Sequence, residues 1–171
     1  MIPSTISTLI AIPILGVLVI VQSSIVSRIP LIQGTPDLVL LAILAWTLQK
    51  KADTAWQWCI IGSLMVTLVS ALPLGAVFVG YGLATAIALA LRRRIWQIPL
   101  LAMFIVTFLG TVILHGVSWL ALWLVGIPIP ALESLNLITL PGILLNLLLA
   151  IPAYGLLHEL ANWIYPEELE V

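Results

Sequence analysis

From residue 98 to residue 125 the chain runs 28 residues without an Asp, Glu, Lys or Arg. At about 1.5 Å per residue such a helix is longer than the roughly 30 Å hydrocarbon core of a bilayer. Other apolar runs precede and follow it. Only 8% of the 171 residues are charged, 63% are apolar and the mean hydropathy is +1.26. Soluble domains carry about a quarter charged residues. The expected solvent is therefore lipid. Lys and Arg total 6 against 7 Asp and Glu, which leaves no basic surface for nucleic acid. The single cysteine, Cys59, falls inside an apolar run and reads as a small buried residue with no disulfide partner in the chain. Residues 1–4 have no basic region, so the first apolar run is expected to be a retained helix.

Hydropathy and punctuation divide the chain into six expected transmembrane helices in one integral membrane domain, an irregular all-α bundle. Their approximate limits are residues 6–26, 37–48, 54–72, 76–91, 98–125 and 137–157, followed by a polar, acidic tail over 158–171. Thr35, Pro36 and Asp37 carry a helix-start signal: Thr as N-cap, Pro at the first helical position, and a carboxylate at the positive end of the helix dipole. The second helix is short for a crossing. Pro73 and Gly75 turn the chain between the third and fourth segments. The fifth is overlong and must tilt or bend, with Gly110 and Gly116 as candidate bend sites.

Charge orients the bundle. With the N-terminus in the cytoplasm, Lys50, Lys51, Arg92, Arg93 and Arg94 all fall in cytoplasmic loops and only Arg28 falls outside, as the positive-inside rule requires. The C-terminus is then cytoplasmic too. Trp46, Trp56, Trp58, Trp96 and Trp163 fall beside the expected cytoplasmic ends, and Trp119 and Trp123 near the opposite face, which reads as two interfacial belts.

Few residues offer chemistry. His115 is the one ionisable side chain well inside a segment. It reads either as a proton relay or substrate contact, or as a neutral imidazole bonded between helices, the blander reading being favoured. Asn146 lies mid-segment, where an amide joins helices. Asp37 reads as a cap before it reads as a catalyst. Gly82, Ala86 and Ala90 form a small-residue line, with Ala84 and Ala88 beside it, suited to close helix packing. The arginine run is read as a topology anchor, or as a contact for anionic headgroups. No catalytic, cofactor-binding or metal-ligating motif emerges, so no enzyme activity and no cofactor are expected.

Several motifs in order resemble the rod shape-determining protein MreD family, over about residues 10–160. They are Gln22-Ser-Ser before a Pro-containing connector, Gly34-Thr-Pro-Asp37 opening an apolar helix, and Ser70-Ala-Leu-Pro-Leu-Gly75 closing the third segment. An Arg cluster follows the fourth, and Pro141-Gly-Ile-Leu-Leu-Asn146 with Pro152 marks the last. The chain departs from the family at Thr67, where an Asp is frequent, and at Val77, where a His is frequent. The resemblance implies a fold similar to the substrate-binding subunits of energy-coupling-factor vitamin transporters. It further implies a non-enzymatic scaffold in the bacterial cytoplasmic membrane that binds MreC and belongs with MreB, RodA and a class B penicillin-binding protein in the machinery of cell shape and peptidoglycan synthesis. The competing reading is a vitamin-uptake subunit, which needs a polar-lined cavity. The outer halves of the segments offer Ser70, Ser118 and Thr139 for it and little else, and the first helix lacks the Ala-x-x-x-Ala pattern by which such subunits dock their partner. A lipid-modifying enzyme ranks third, for want of paired acid and base groups.

Overall fold

A computed structural model describes residues 2–26, 34–50, 52–93, 98–127 and 130–166. The chain forms α1 (Ile2–Val26), α2 (Leu38–Thr47), α3 (Ala55–Val69), α4 (Leu74–Arg92), α5 (Pro99–Leu124), a short α6 (Ala131–Ser134), a π-turn (Leu135–Thr139) and α7 (Leu140–Ile164). Among the described residues there is no strand. Among the described residues four stretches are long and apolar enough to cross a membrane: Ser4–Ser24, Gly75–Arg92, Pro99–Leu124 and Ala131–Ile164. The protein is thus an all-helical, membrane-embedded bundle. Helices α2 and α3, with 10 and 15 residues, are shorter than the roughly 20 residues a full crossing takes.

Helix α2 is the axis of the fold. Its sequence, LVLLAILAWT, is apolar on every side, and such a helix is stable only where every side is covered. Every residue from Val39 to Thr47 is buried, and α2 touches α1, α3, α4, α5 and α7. Small residues on its neighbours permit the approach. A Cβ at Gly62 of α3 would lie 2.7 Å from Ile43 Cδ1, and one at Gly110 of α5 would lie 3.0 Å from Leu44 Cδ1. Gly110 is therefore a packing contact within an uninterrupted α5, in place of the expected bend, while Gly116 faces open space.

The surrounding helices bury one stripe each. In α1 it is Ser7, Ala11, Leu15 and Val19, while Leu9, Val17 and Ile20 face outward. In α4 it is Val77, Tyr81, Ala84 and Ala88. The small-residue line expected to pack inward, Gly82, Ala86 and Ala90, lies on the outer side. Both lines are apolar, so composition could not choose between them. Tyr81 decides it, because its hydroxyl finds its partner inside.

Helix limits shift at several ends. Helix α4 begins at Leu74, with Pro73 in the N-cap position and Gly75 already in the first turn, so these two residues start a helix in addition to turning the chain. The last helix extends well past residue 157, and residues 158–164, expected as tail, are its final turns. Its entry is a π-turn in which the Leu140 amide reaches back to the Leu135 carbonyl. Pro141 accounts for this, since it has no amide to give and its ring crowds the carbonyl four residues earlier.

Trp46 and Trp58 overturn the interfacial reading of those two residues. Both are fully buried and stacked, with ring centroids 4.4 Å apart and planes 13° apart. Their indole amides are satisfied inside: Trp46 Nε1 donates to Thr54 Oγ1 at 3.0 Å and Trp58 Nε1 to Ser7 Oγ at 3.3 Å. Ser7 and Thr54 share a 2.7 Å hydrogen bond. A belt tryptophan needs water for that amide, and here hydroxyls from α1 and the α2–α3 connection replace it. Trp56, Trp123 and Trp163 are exposed; Trp96 lies outside the described residues.

Candidate functional site

A helix of 10 residues is about 15 Å long, roughly half the hydrocarbon core. At least one end of α2 is therefore held at membrane depth, where free backbone groups must be satisfied by protein or by water in a cavity. The structure satisfies both ends with side chains borrowed from other helices.

At the N-terminal end the cap is Asp37, which accepts the Leu40 amide at 2.9 Å. Thr35 and Pro36, expected as N-cap and first helical residue, lie just before the helix. The amides that a Thr35 cap would take, those of Asp37 and Leu38, are claimed instead by side chains of other helices. Gln22 Oε1, from α1, accepts the Leu38 amide at 2.9 Å and the Val39 amide at 3.4 Å. Asn146 Oδ1, from α7, accepts the Asp37 amide at 2.8 Å, while its Nδ2 donates to Thr111 Oγ1 of α5 at 2.9 Å. From α4, Tyr81 donates its hydroxyl to both carboxylate oxygens of Asp37, at 2.7 and 2.8 Å. Four helices thus converge on one helix start.

The chain entering α2 is seated against α7. A Cβ at Gly34 would lie 2.6 Å from the backbone nitrogen of Gly142 and against Pro141. Only glycine allows that approach. Gly142 in turn faces His115, whose Cε1 would lie 3.0 Å from a Cβ at that position.

Beside this constellation a half-open cavity of about 410 Å³ is lined on its polar side by Gln22, Ser23, Thr35, Asp37, Ser70, Tyr81, His115 and Ser118. Its apolar wall is Val66, Val69, Leu72, Val77 and Leu114. The scarcity of polar side chains expected from the outer halves of the segments is overturned here. The polar lining comes mostly from helix ends and a connector, which a span-by-span reading passes over. Thr139, in the π-turn, is not part of it. His115 Nδ1 is buried with no hydrogen-bond partner among the described residues, so this imidazole is not bonded between helices through that nitrogen.

At the C-terminal end Arg92 of α4 closes α2. Its guanidinium donates to the carbonyls of Thr47, Gln49 and Ala52 at 3.1, 3.1 and 2.9 Å. Gln49 Oε1 lies 3.0 Å from His158 Nδ1 of α7, and that imidazole stacks on Tyr154. Lys50 and Arg93 are exposed nearby in sequence; Lys51 and Arg94 lie outside the described residues. Among the described residues no cluster of His, Cys, Asp and Glu is disposed to hold a metal ion.

Gln22, Tyr81 and Thr111 are the members that sequence reasoning did not single out as a site. The available signal was modest: isolated polar residues within apolar runs. No protein-family model, curated protein or solved structure matches this chain.

Proposed function

We propose that this protein is a non-enzymatic membrane scaffold of the MreD type, crossing the bacterial cytoplasmic membrane six times with both termini in the cytoplasm. In this reading it binds MreC and works with MreB, RodA and a class B penicillin-binding protein in rod-shape determination and peptidoglycan synthesis. One observation carries the reading. Two of the stretches that carry the resemblance, Gly34-Thr-Pro-Asp37 and Pro141-Gly-Ile-Leu-Leu-Asn146, lie more than a hundred residues apart in sequence yet pack against each other through Gly34, Gly142 and the Asp37–Asn146 hydrogen bond.

The orientation has its own support. Arg92 reaches the carbonyls of the α2–α3 connection, so two of the basic connections share one end of the bundle, as a cytoplasmic end requires. The short helices α2 and α3 complete the six crossings only in company, with their ends covered by neighbours. Co-purification with MreC after mild detergent extraction tests the reading. Cells depleted of the protein that keep a normal rod shape would sink it.

A substrate-binding subunit of an energy-coupling-factor-type vitamin transporter is the second reading, and the cavity beside Asp37 favours it. Calorimetry with vitamins separates the two: a tight vitamin complex reverses their order.

A further inference from the structure

At the end of the bundle away from Arg92 the helices stop at different heights. A Cβ at Gly80 of α4 would lie 3.4 Å from Leu114 Cα of α5, and one at Gly110 of α5 would lie 3.4 Å from Ala84 Cβ of α4. The two helices therefore run side by side and antiparallel, four residues up one for four residues down the other. This register sets Leu74, where α4 begins, level with Leu120, and α5 continues past that level to Leu124. Between α5 and α7, Thr111 meets Asn146 and His115 meets Gly142. That pairing brings α6 and the start of the π-turn level with the overhanging end of α5. Together they form a crest that stands above the α3–α4 connection.

The crest is apolar and uncovered. No residue of α6 is buried. Leu124 and Leu132 are 70% and 71% exposed, as bare as Leu148 at 71% in the middle of α7. Trp123, Val125 and Leu135 are exposed with them. Leu148 belongs to an exposed line with Leu140 and Leu144, spaced by four residues and so on one face of the helix. In a membrane-embedded bundle that face meets lipid, and the crest continues it.

Helix lengths set its depth. With 19 residues, α4 is about 28 Å long, close to the roughly 30 Å hydrocarbon core. Exposed Arg93 follows directly at one end, as the edge of the core requires. The four residues by which α5 overhangs α4 then stand about 6 Å past the opposite edge. The headgroup layer is about 5–7 Å deep on each side, half the difference between a bilayer of roughly 40–45 Å and its core. Glu133, exposed in α6, fits that layer: its carboxylate is costly in hydrocarbon, while so apolar a patch is ill-placed in water. An exposed tryptophan such as Trp123 suits the same layer.

From this we propose that the crest is an interfacial anchor. Trp123, Leu124, Val125, Leu132 and Leu135 lie among the headgroups and ester groups of one phospholipid leaflet, Glu133 reaches water, and this contact holds the bundle at a fixed depth. The anchor goes beyond the scaffold reading and stands or falls independently of MreC.

The test uses the full-length chain in phosphatidylcholine nanodiscs, spin-labelled at one position at a time. Leu124→Cys and Leu132→Cys place the nitroxide on the crest, Leu148→Cys in the middle of α7 and Arg93→Cys at the charged end. The unsubstituted chain, whose Cys59 is buried, is the labelling control. Power-saturation spectroscopy reads access to molecular oxygen, which concentrates in hydrocarbon, and to a nickel chelate, which stays in water. Oxygen is expected to dominate at Leu148→Cys, the chelate at Arg93→Cys, and both to reach the two crest labels, with an oxygen-to-chelate ratio between those two extremes. Crest labels that match Arg93→Cys put the crest in water, and labels that match Leu148→Cys put it in the core. Labels that neither reagent reaches show a cover of protein, another copy of the chain included. Each of these three results overturns the proposal. Should Leu124→Cys fail to fold, judged by circular dichroism, Leu132→Cys on the unburied α6 decides. Anchoring is read separately, from a label on Leu144→Cys. Replacing Trp123, Leu124 and Leu132 together by serine is expected to shift the oxygen-to-chelate ratio there, and an unchanged ratio overturns the anchoring.

Discussion

The Tyr81 hydroxyl donates to both carboxylate oxygens of Asp37, at 2.7 and 2.8 Å, across 44 positions of sequence. Through this bond α4 holds the cap of α2. Tyr81→Phe keeps the buried ring and removes the donor, leaving the carboxylate less satisfied. The expected cost is about 1–3 kcal/mol, read as a lower thermal midpoint of the detergent-solubilised protein. An unchanged midpoint would show that the bond contributes nothing.

Arg92 and Arg93 are neighbours in sequence with opposite prospects. Arg92 donates to three carbonyls at the end of α2, and Arg93 is exposed. Arg92→Ala is expected to cost about 1.5–3 kcal/mol. Arg92→Lys should recover part of it, since an ammonium lacks the guanidinium's fixed fork. Arg93→Ala should stay within about 0.5 kcal/mol. Denaturant titrations followed by circular dichroism compare the three, and equal losses at both positions would contradict the capping role.

The buried and exposed tryptophans make a similar pair. Trp58→Ala empties half of the stack with Trp46 and removes one of the two hydrogen bonds at the Ser7 hydroxyl, with an expected loss of about 3–5 kcal/mol. Trp163, which is 72% exposed, should tolerate Ala within about 0.5 kcal/mol. Fluorescence should separate them too: a lipid-soluble quencher is expected to reach Trp163 and spare Trp58.

Two glycines test the seat of the α2 entry. Gly34→Ala drives a methyl against the Gly142 backbone, which has no flexible end to yield, at an expected cost of about 1–3 kcal/mol. Gly16→Ala meets nothing within 4 Å and should stabilise α1 by about 0.5–1 kcal/mol, because alanine loses less backbone freedom in a helix. Midpoints that move in the same direction would refute the contrast.

Parts of this site were legible beforehand. Asp37 carried the mark of a helix start, Asn146 that of an amide between helices, and the brevity of α2 was plain from its flanking punctuation. The outcome of each depended on partners far away. Asp37 displaced Thr35 as cap once Tyr81, Gln22 and Asn146 were available to build around a carboxylate. His115, the most conspicuous residue in sequence, gained no bond at Nδ1 among the described residues and lies instead on a cavity wall. Trp46 and Trp58 fell beside charge clusters, the usual sign of an interface, yet Ser7 and Thr54 satisfied their amides inside.

By itself the sequence determined the solvent and the secondary structure. Runs so apolar and so long can satisfy their backbone only as helices in lipid, and the capping residues and prolines set where most of those helices begin. Which face of each helix turns inward was left to the tertiary structure. In water a polar outer face announces itself; in lipid the inside and outside of a helix are alike apolar, so Ala84 and Ala86 look the same until Tyr81 finds Asp37. The same holds for the 28-residue run over residues 98–125. Its composition required a long helix, and packing against α2 decided that Gly110 would be a contact and not a bend.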